Sequence, residues 1–252
     1  MVERSVCTLI DLSKAFDRLP HNLLLEKLSA CGVSLESLEL LTNYVKNRTQ
    51  CVRLGNTRST TGKLMSGVPQ GSVLGPHLFN IFINDLSYNI KKAKISAYAD
   101  DKKLYFSNAN ARIVQKTLNS ELAVVSSWIT DNGLLLNPKK CESLIFRRTN
   151  PKHNQTEEEK INFSVDGTLI EPSSTCKLLG VHIDERLNFN NHVASICKKT
   201  SKQIAVISRF RKLLSIQTKL TLYKAYILPH FTYYSTQCGC TVEKRHQTNL
   251  KN

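Results

Sequence analysis

The sequence predicts an α+β fold, in which an antiparallel sheet with flanking helices is followed by a basic helical region. Two observations lead to this prediction. Up to about residue 190, segments with strand patterns dominate and alternate with amphipathic helical segments. Beyond that point the pattern is helical, and from Arg186 to Val242 the chain has nine basic residues and no acidic residue. We therefore expect two domains, residues 1–190 and 191–252.

Apolar spacing, capping residues and turn residues place the elements of the first domain. In chain order, the sequence predicts a strand over 6–12, helices over 23–30 and 35–46, a strand over 50–54, a loop over 67–76 that enters a helix ending at residue 90, a hairpin over 95–106, a helix over 112–130, a strand over 143–146, a hairpin over 161–170 and a strand over 178–183. Gly32 suits the end of the first helix, and Ser34 suits the N-cap of the second. Gly55-Asn56 and Asp166-Gly167 mark turns, and Pro76 suits the first position of its helix.

The remaining segments are polar or helical. Residues 148–160 are polar and unpatterned, so we expect a surface insertion that extends with the following hairpin over 148–172. After residue 190, one helix has its apolar face between Val193 and Leu214, and a second covers 218–228 and stops at Pro229. Trp128 lies at helical spacing, which favours a place in the core.

Composition excludes several classes of protein. The 252 residues, 41% of them apolar, suffice for a proper core. We find no apolar run of membrane-spanning length, and Met1 to Ile10 lack the pattern of a signal peptide, so we expect an intracellular protein, nuclear or cytoplasmic and not secreted. The eight cysteines form no CxxC pair, which argues against zinc and favours reduced thiols buried as small hydrophobic side chains; Cys238-Gly239-Cys240 is too short a motif for a zinc site.

The net charge of +15 indicates a polyanionic partner. An acid-free basic surface attracts nucleic acid, because each neutralised phosphate releases counterions. A solvated basic face is the alternative.

Paired carboxylates are the clearest sign of chemistry. Asp100 and Asp101 stand side by side in YADD, at the predicted tip of the 95–106 hairpin, although like charges repel and cost free energy to desolvate. Asp11 follows the first strand. If the three converge, their oxygens are sufficient for two Mg²⁺ ions. The alternatives are a solvated turn for the pair and a helix N-cap for Asp11.

Five segments in this order resemble the reverse transcriptases of non-LTR retrotransposons of the jockey/LINE type: DLSKAFD, GVPQGSVLGP, YADD, LLLNPKK and KLLGVHIDERLNF. The resemblance covers the chain from Val6 to about Gly239. It implies a polymerase palm over 1–190, a helical thumb over 191–252, and RNA-directed addition of dNTPs to a primer 3′ end. The expected cofactors are two Mg²⁺, with Mn²⁺ as an alternative.

The resemblance also implies the roles of individual residues. Asp11, Asp100 and Asp101 are the expected metal ligands, and Lys140 is the expected general acid, with Lys139 as the alternative register. The nucleotide is expected to meet a further set of residues, which comprises Lys14, Ala15, Phe16, Gln70 and Gly71.

Three of these assignments have purely structural alternatives. Phe16 is the expected gate against ribonucleotides, or else a core residue of the short helix. The loop of Gln70 and Gly71 is otherwise a helix-entry turn, whereas Lys140 is otherwise part of a surface turn. Asp17 is expected to hold the local turn rather than a metal.

The primer and template are expected to contact two further regions. Leu179, Gly180 and Val181, within the segment 176–184, resemble a primer grip, which is a β-turn that contacts the primer end. The alternative is that Gly180 is an ordinary strand glycine. The thumb would contact phosphate and sugar through exposed cations, which are Lys198, Lys199, Lys202, Arg209, Arg211 and Lys212.

The chain begins close to Asp11, whereas complete family members have a fingers region upstream. We therefore expect an N-terminally truncated copy, whose fingers and endonuclease regions belong to a longer polyprotein. The expected partners are an RNA template, a DNA primer or target, and dNTPs. The alternative function is a catalytically inactive remnant that only binds nucleic acid.

Overall fold

The structure is a computed structural model that describes residues 4–146 and 161–233. The predicted insertion over 148–160, the end of the predicted thumb and Cys238-Gly239-Cys240 lie outside the described residues. Within the described ranges, no helix is both long and apolar enough to cross a membrane.

Strands and helices follow the chain largely in the predicted order. The strands are β1 Arg4–Ile10, β2 Thr49–Gln50, β3 Arg53–Leu54, β4 Thr57–Arg58, β5 Gly62–Lys63, β6 Lys94–Tyr98, β7 Asp101–Asn108, β8 Glu142–Phe146, β9 Phe163–Val165, β10 Thr168–Ile170, β11 Pro172–Ser173, β12 Thr175–Leu178 and β13 Val181–Asp184. The helices are α1 Ala15–Arg18, α2 His21–Ala30, α3 Leu35–Val45, α4 Leu74–Ile83, α5 Leu86–Asn89, α6 Ala111–Asp131, α7 Asn190–Arg209, α8 Ile216–Leu222 and α9 Leu228–Thr232. A 3₁₀ turn covers Pro138–Lys140, and a π-helical turn covers Tyr223–Ile227.

The described chain groups into two compact units. The first contains residues 4–145 and 161–172, and the second contains residue 146 and residues 173–233. The hairpin β12–β13 belongs to the second unit, because α7 packs against β13. The assignment of these parts to a palm and a thumb stays a prediction.

The first unit is built on a sheet with the strand order β11-β8-β1-β7-β6. In β1, the side chains of Val6, Thr8 and Ile10 are buried and alternate with those of Cys7 and Leu9, which are half-buried. One face of the sheet therefore packs on the core, and the other is more open. The core includes Phe79, Phe82, Leu104, Leu118, Leu122 and Ile129, all at most 1% exposed.

Caps and packing explain the helices of this unit. Ser34 Oγ accepts from the Ser37 N–H at the start of α3, and Asn110 caps α6 in the same way through the Arg112 N–H. Trp128 is 8% exposed and meets Phe82 edge-on, with 6.4 Å between ring centroids, which confirms its predicted place in the core.

Two predictions for this unit were wrong. The helix after the glycine-rich loop begins at Leu74 rather than Pro76, because Pro also fits a later position in the first turn. The same helix breaks at Asn84–Asp85 instead of running to Ile90.

The cysteines were expected to be reduced and buried. All six in the described ranges are free thiols, but Cys31, Cys51 and Cys197 are exposed rather than buried.

The second unit is a hairpin with helices. Residues 178–183, predicted as one strand from the local pattern, instead contain the turn between β12 and β13, where Leu179 and Gly180 both have positive φ, of 45° and 85°. A turn at these residues is what the resemblance to a primer grip implies. The last helical segment continues through Pro229 instead of ending there. Pro229 stands at the start of α9, directly after the π-helical turn, where its missing N–H is tolerated.

Candidate active site

The register of the sheet brings the predicted carboxylates to one end of neighbouring strands. Ile10, the last residue of β1, pairs with Lys102 of β7. Asp11 follows Ile10, and Asp101 precedes Lys102, so both acids stand one residue beyond this pair. Asp100 lies in the turn Ala99–Asp100 that joins β6 to β7. Because adjacent antiparallel strands lie about 5 Å apart, the backbone places all three acids in one neighbourhood.

This turn is strained, and the ammonium group of a buried lysine binds its carbonyls. Ala99 has φ 50°, a left-handed conformation that costs a non-glycine residue about 1–2 kcal/mol. The Lys102 ammonium donates to the carbonyls of Ala99, at 2.9 Å, and Asp100, at 3.3 Å, and lies 5.1 Å from the centroid of the Phe79 ring. Burial lowers the pKa of Lys102 to about 8, against the opposing effect of Asp100 and then Asp101. Lys102 therefore fixes the turn that presents Asp100.

The other side of Asp11 is fixed by the segment before the 3₁₀ turn. The Asn137 N–H donates to the Asp11 carbonyl at 3.0 Å, and the Ser13 N–H donates to the Leu135 carbonyl at 2.8 Å. This pairing places Lys140 at the strand end, with its ammonium 4.0 Å from Asp11 Oδ2. Since Lys140 is mostly exposed, the pair contributes at most about 1 kcal/mol to stability.

The Asp11 carboxylate suits a cation. Its Oδ2 atom is buried and accepts no hydrogen bond within the described residues, although the side chain as a whole is 36% exposed. An unsatisfied carboxylate oxygen is costly unless a cation approaches it, and the Lys140 ammonium, 4.0 Å from Oδ2, is already one such cation. In the ranges 4–146 and 161–233, however, no three His, Cys, Asp or Glu side chains group closely enough to hold a metal. The backbone thus collects the three acids, and the convergence of their side chains stays a prediction.

A tight turn links the strand end to α1. Lys14 has φ 50°, and its carbonyl accepts from the N–H groups of Asp17 and Arg18 at 3.0 and 3.1 Å. The amides of Lys14 and Ala15 precede these first helical bonds, at the position predicted to meet the triphosphate. The Phe16 ring is half-buried, with its centroid 4.6 Å from that of Phe79. Phe16 thus has core packing, as its alternative interpretation requires, and also keeps some exposed surface.

The loop before α4 is clamped onto Asp17. Ser66 Oγ donates to the Asp17 carbonyl at 2.8 Å, and the Gln70 amide donates to Asp17 Oδ1 at 2.7 Å. Gly67 lies so close that an added Cβ would stand 2.7 Å from the Asp17 carbonyl oxygen. Gly71 is exposed, with φ 77°. Asp17 therefore orients Gln70, a residue far along the chain, whereas the sequence predicted that Asp17 holds the turn at its own position.

In the second unit, the turn Leu179–Gly180 is held by two side chains. The Tyr233 hydroxyl donates to the Leu179 carbonyl at 2.7 Å, and its ring would lie 3.6 Å from a Cβ on Gly180. The His182 N–H donates to His192 Nδ1 at 3.4 Å. Burial lowers the pKa of His192, and the charges of His182 and Lys199 act in the same direction.

The predicted phosphate-binding cations of this unit are on its surface. All six are exposed: Lys198, Lys199, Lys202, Arg209, Arg211 and Lys212. The first four lie in α7, a helix without an acidic residue. This arrangement leaves their charges available to a polyanion.

Sequence reasoning missed three residues that support the site: Lys102, His192 and Tyr233. For Lys102 a signal was present, since it shares a strand face with Leu104 and Phe106, where a lysine is out of place unless it has partners. The contacts of His192 and Tyr233 join distant parts of the chain, which no local pattern reveals.

Comparisons with known proteins agree with the resemblance seen in the motifs. The family model described as reverse transcriptase (RNA-dependent DNA polymerase) matches residues 2–183. The chain is 28% identical over 236 residues to a probable RNA-directed DNA polymerase from transposon BS of Drosophila melanogaster, covering 89% of this chain and 25% of that protein. It is 27% identical to the RNA-directed DNA polymerase from mobile element jockey of the same organism, covering 99% of this chain and 27% of that protein.

The structural comparison concerns the fold alone. Apo telomerase of Candida tropicalis, truncated from its C-terminal domain, matches with a TM-score of 0.51 at 14% identity, over 73% of this chain and 34% of that chain. This confirms the predicted α+β fold. The chain spans about a quarter of the length of the two transposon proteins.

Proposed function

This chain belongs to the reverse transcriptase family, and from that premise we propose that it is the RNA-directed DNA polymerase of a non-LTR retrotransposon. It would add dNTPs to the 3′ end of a DNA primer or target on an RNA template, inside the cell. The observation that carries the proposal is the sheet end, where the register gathers Asp11, Asp100 and Asp101 and where Asp11 Oδ2 has no hydrogen-bond partner among the described residues.

Divalent metal ions are general in this family, and the acids at the sheet end offer the oxygen ligands that such ions prefer. Asp11, Asp100 and Asp101 would hold two Mg²⁺, or Mn²⁺, through carboxylate oxygens. When bound, the ions supply charge stabilisation for the attacking 3′-hydroxyl and the departing pyrophosphate. The chain's own contribution is to hold the acids in place through Lys102 below the turn and the Leu135–Asn137 pairing beside Asp11.

The residues around the acids would bind and orient the nucleotide. The amides of Lys14 and Ala15 would receive the triphosphate, and Phe16 would lie under its sugar. Gln70, oriented by Asp17, would contact the template–dNTP pair beside the exposed Gly71. Lys140, whose ammonium lies beside Asp11, would donate a proton from its Nζ atom to the leaving pyrophosphate. The 4.0 Å approach of Lys140 favours it over Lys139.

The second unit would bind the primer and template. The turn at Leu179, Gly180 and Val181 would support the primer end, and the Tyr233 hydroxyl, which donates to the Leu179 carbonyl, would help to hold this turn. The exposed cations of α7 and the following turn would contact phosphate and sugar without reading bases, as a polymerase that copies any sequence requires.

Primer extension tests the proposal. The full chain is supplied with an RNA template, an annealed DNA primer, dNTPs and Mg²⁺, and the Asp100→Asn variant is compared with the control Asp131→Asn, which removes an exposed acid at the end of α6. We expect extension by the parent and the control and none by Asp100→Asn. Equal extension by all three, or extension only on a DNA template, would contradict the proposed function.

A further inference from the structure

A basic arm, defined as residues 46–65, extends from the first unit between α3 and the glycine-rich loop. It consists of two short strand pairs, β2 with β5 and β3 with β4, closed by the Gly55-Asn56 turn. The Leu64 N–H donates to the Arg48 carbonyl at 2.9 Å at the base of the arm. Every residue from 49 to 63 is exposed, so neither face of this ribbon packs on the rest of the unit.

The arm carries charge of one sign. From residue 40 to residue 84 the chain has no acidic residue, and the arm has five basic ones, Lys46, Arg48, Arg53, Arg58 and Lys63. Arg53 and Arg58 stand directly opposite each other in the β3–β4 ladder. Like charges at this position destabilise a strand pair. Within the described residues, no acidic side chain forms an ion pair with either arginine.

The repulsion between Arg53 and Arg58 weakens the hairpin when no ligand is bound, which points to an anionic ligand that relieves it. Guanidinium groups bind phosphate oxygens through paired hydrogen bonds, and two that face each other suit one phosphodiester backbone. The other polar residues of the arm are threonines, serine, asparagines and glutamine, which commonly contact phosphate and sugar. The arm has no aromatic residue, and aromatic side chains are the usual anchors of protein interfaces.

The position of the basic arm indicates which nucleic-acid strand it binds. The arm leads directly into Ser66 and Gly67, which are clamped onto Asp17, and then into Gln70. If Gln70 meets the template–dNTP pair, the nucleic acid nearest the arm is the template before it is copied, which is single-stranded RNA. We propose that the basic arm binds the backbone of the single-stranded RNA template, with Arg53 and Arg58 on one stretch of phosphates. The choice of strand rests on the proposed function.

The test measures RNA binding by the full chain without metal or dNTP, so that polymerase activity plays no part. The probes are a single-stranded RNA of mixed sequence and an RNA–DNA duplex. The double variant Arg53→Gln/Arg58→Gln is compared with Lys92→Gln/Lys116→Gln, which removes two exposed charges elsewhere in the first unit. For single strands each phosphate contact contributes about 0.7 to the slope of log affinity against log salt, so we expect the arm variant to lose about 1.4 and the control to lose much less.

A charge reversal separates binding from folding. Arg58→Glu places an acid opposite Arg53, so it should raise the melting temperature of the chain while it weakens RNA binding more than Arg58→Gln does. Three outcomes would overturn the proposal: the variants that bind RNA more weakly are also less stable, the salt slope of the arm variant equals that of the parent, or the control variant loses as much RNA affinity as the arm variant. A loss confined to the duplex probe would overturn the assignment to the single strand. A parent chain that binds RNA through the arm but never extends a primer would refute the proposed function alone.

Discussion

Gly67 offers a test of how the glycine-rich loop is held. Its φ of 86° is nearly that of Gly32, at 85°, so alanine meets the same backbone strain at either site. That strain is about 1–2 kcal/mol, offset by about 0.4–1 kcal/mol from the lower entropy of the unfolded chain. Only the surroundings differ, because a Cβ at Gly32 has no neighbour within 4 Å, whereas one at Gly67 would stand 2.7 to 2.9 Å from backbone atoms of Asp17.

Backbone atoms cannot move aside as a flexible side chain can, so the close contact at Gly67 should add an overpacking cost of about 1–3 kcal/mol. We therefore expect Gly32→Ala to lower the free energy of unfolding by about 1 kcal/mol, and Gly67→Ala to lower it by about 2–4 kcal/mol. Urea unfolding of the two variants and the parent measures both values. Equal destabilisation by the two variants would refute the close approach of the loop to Asp17.

Three further predictions concern side chains that hold the Ala99–Asp100 turn of the first unit and the Leu179–Gly180 turn of the second. Because burial lowers the pKa of His192, the folded protein resists its protonation, and stability should fall as pH drops below 6.5; His192→Asn keeps an acceptor for the His182 N–H and should remove this loss in acid unfolding curves. The pKa of Lys102 is lowered from 10.5 to about 8, so the parent's stability should rise by about 3 kcal/mol between pH 8 and 10.5 relative to Lys102→Met, and parallel curves would contradict this. Tyr233→Phe should cost about 0.5–1.5 kcal/mol by removing the bond to Leu179, and no change in thermal unfolding would show that this bond contributes nothing.

Local patterns were sufficient for most elements of the fold. The YADD hairpin, the capped helices α3 and α6 and the Asp166-Gly167 turn follow from residues that act within a few positions of one another. Errors arose where two local signals competed. Pro76 marked a helix start two residues late, and the residues around Leu179 are apolar enough to imitate one continuous strand.

The candidate site could be predicted only in part. The motif acids are visible in the sequence, and the β1–β7 register then places them at one sheet end. Of the groups that hold them, Lys102 left a signal, because a lysine on the strand face of Leu104 and Phe106 needs partners. Lys140, in contrast, reaches Asp11 through the Leu135–Asn137 pairing, which joins distant parts of the chain. Such contacts depend on tertiary packing, which no residue pattern encodes by itself.

Metal binding by the sheet-end acids underlies the proposed activity, and bound Mn²⁺ can be measured directly by electron paramagnetic resonance. The parent is titrated with Mn²⁺ in the presence of dNTP, beside Asp100→Asn and Asp17→Asn. Both variants remove one carboxylate from a motif of the same site, but the Asp17 carboxylate is occupied by Gln70. We predict that Asp100→Asn loses bound Mn²⁺ and that Asp17→Asn binds as much as the parent. Metal binding at the sheet end is contradicted if Asp100→Asn binds Mn²⁺ as the parent does, or if the two variants lose it equally.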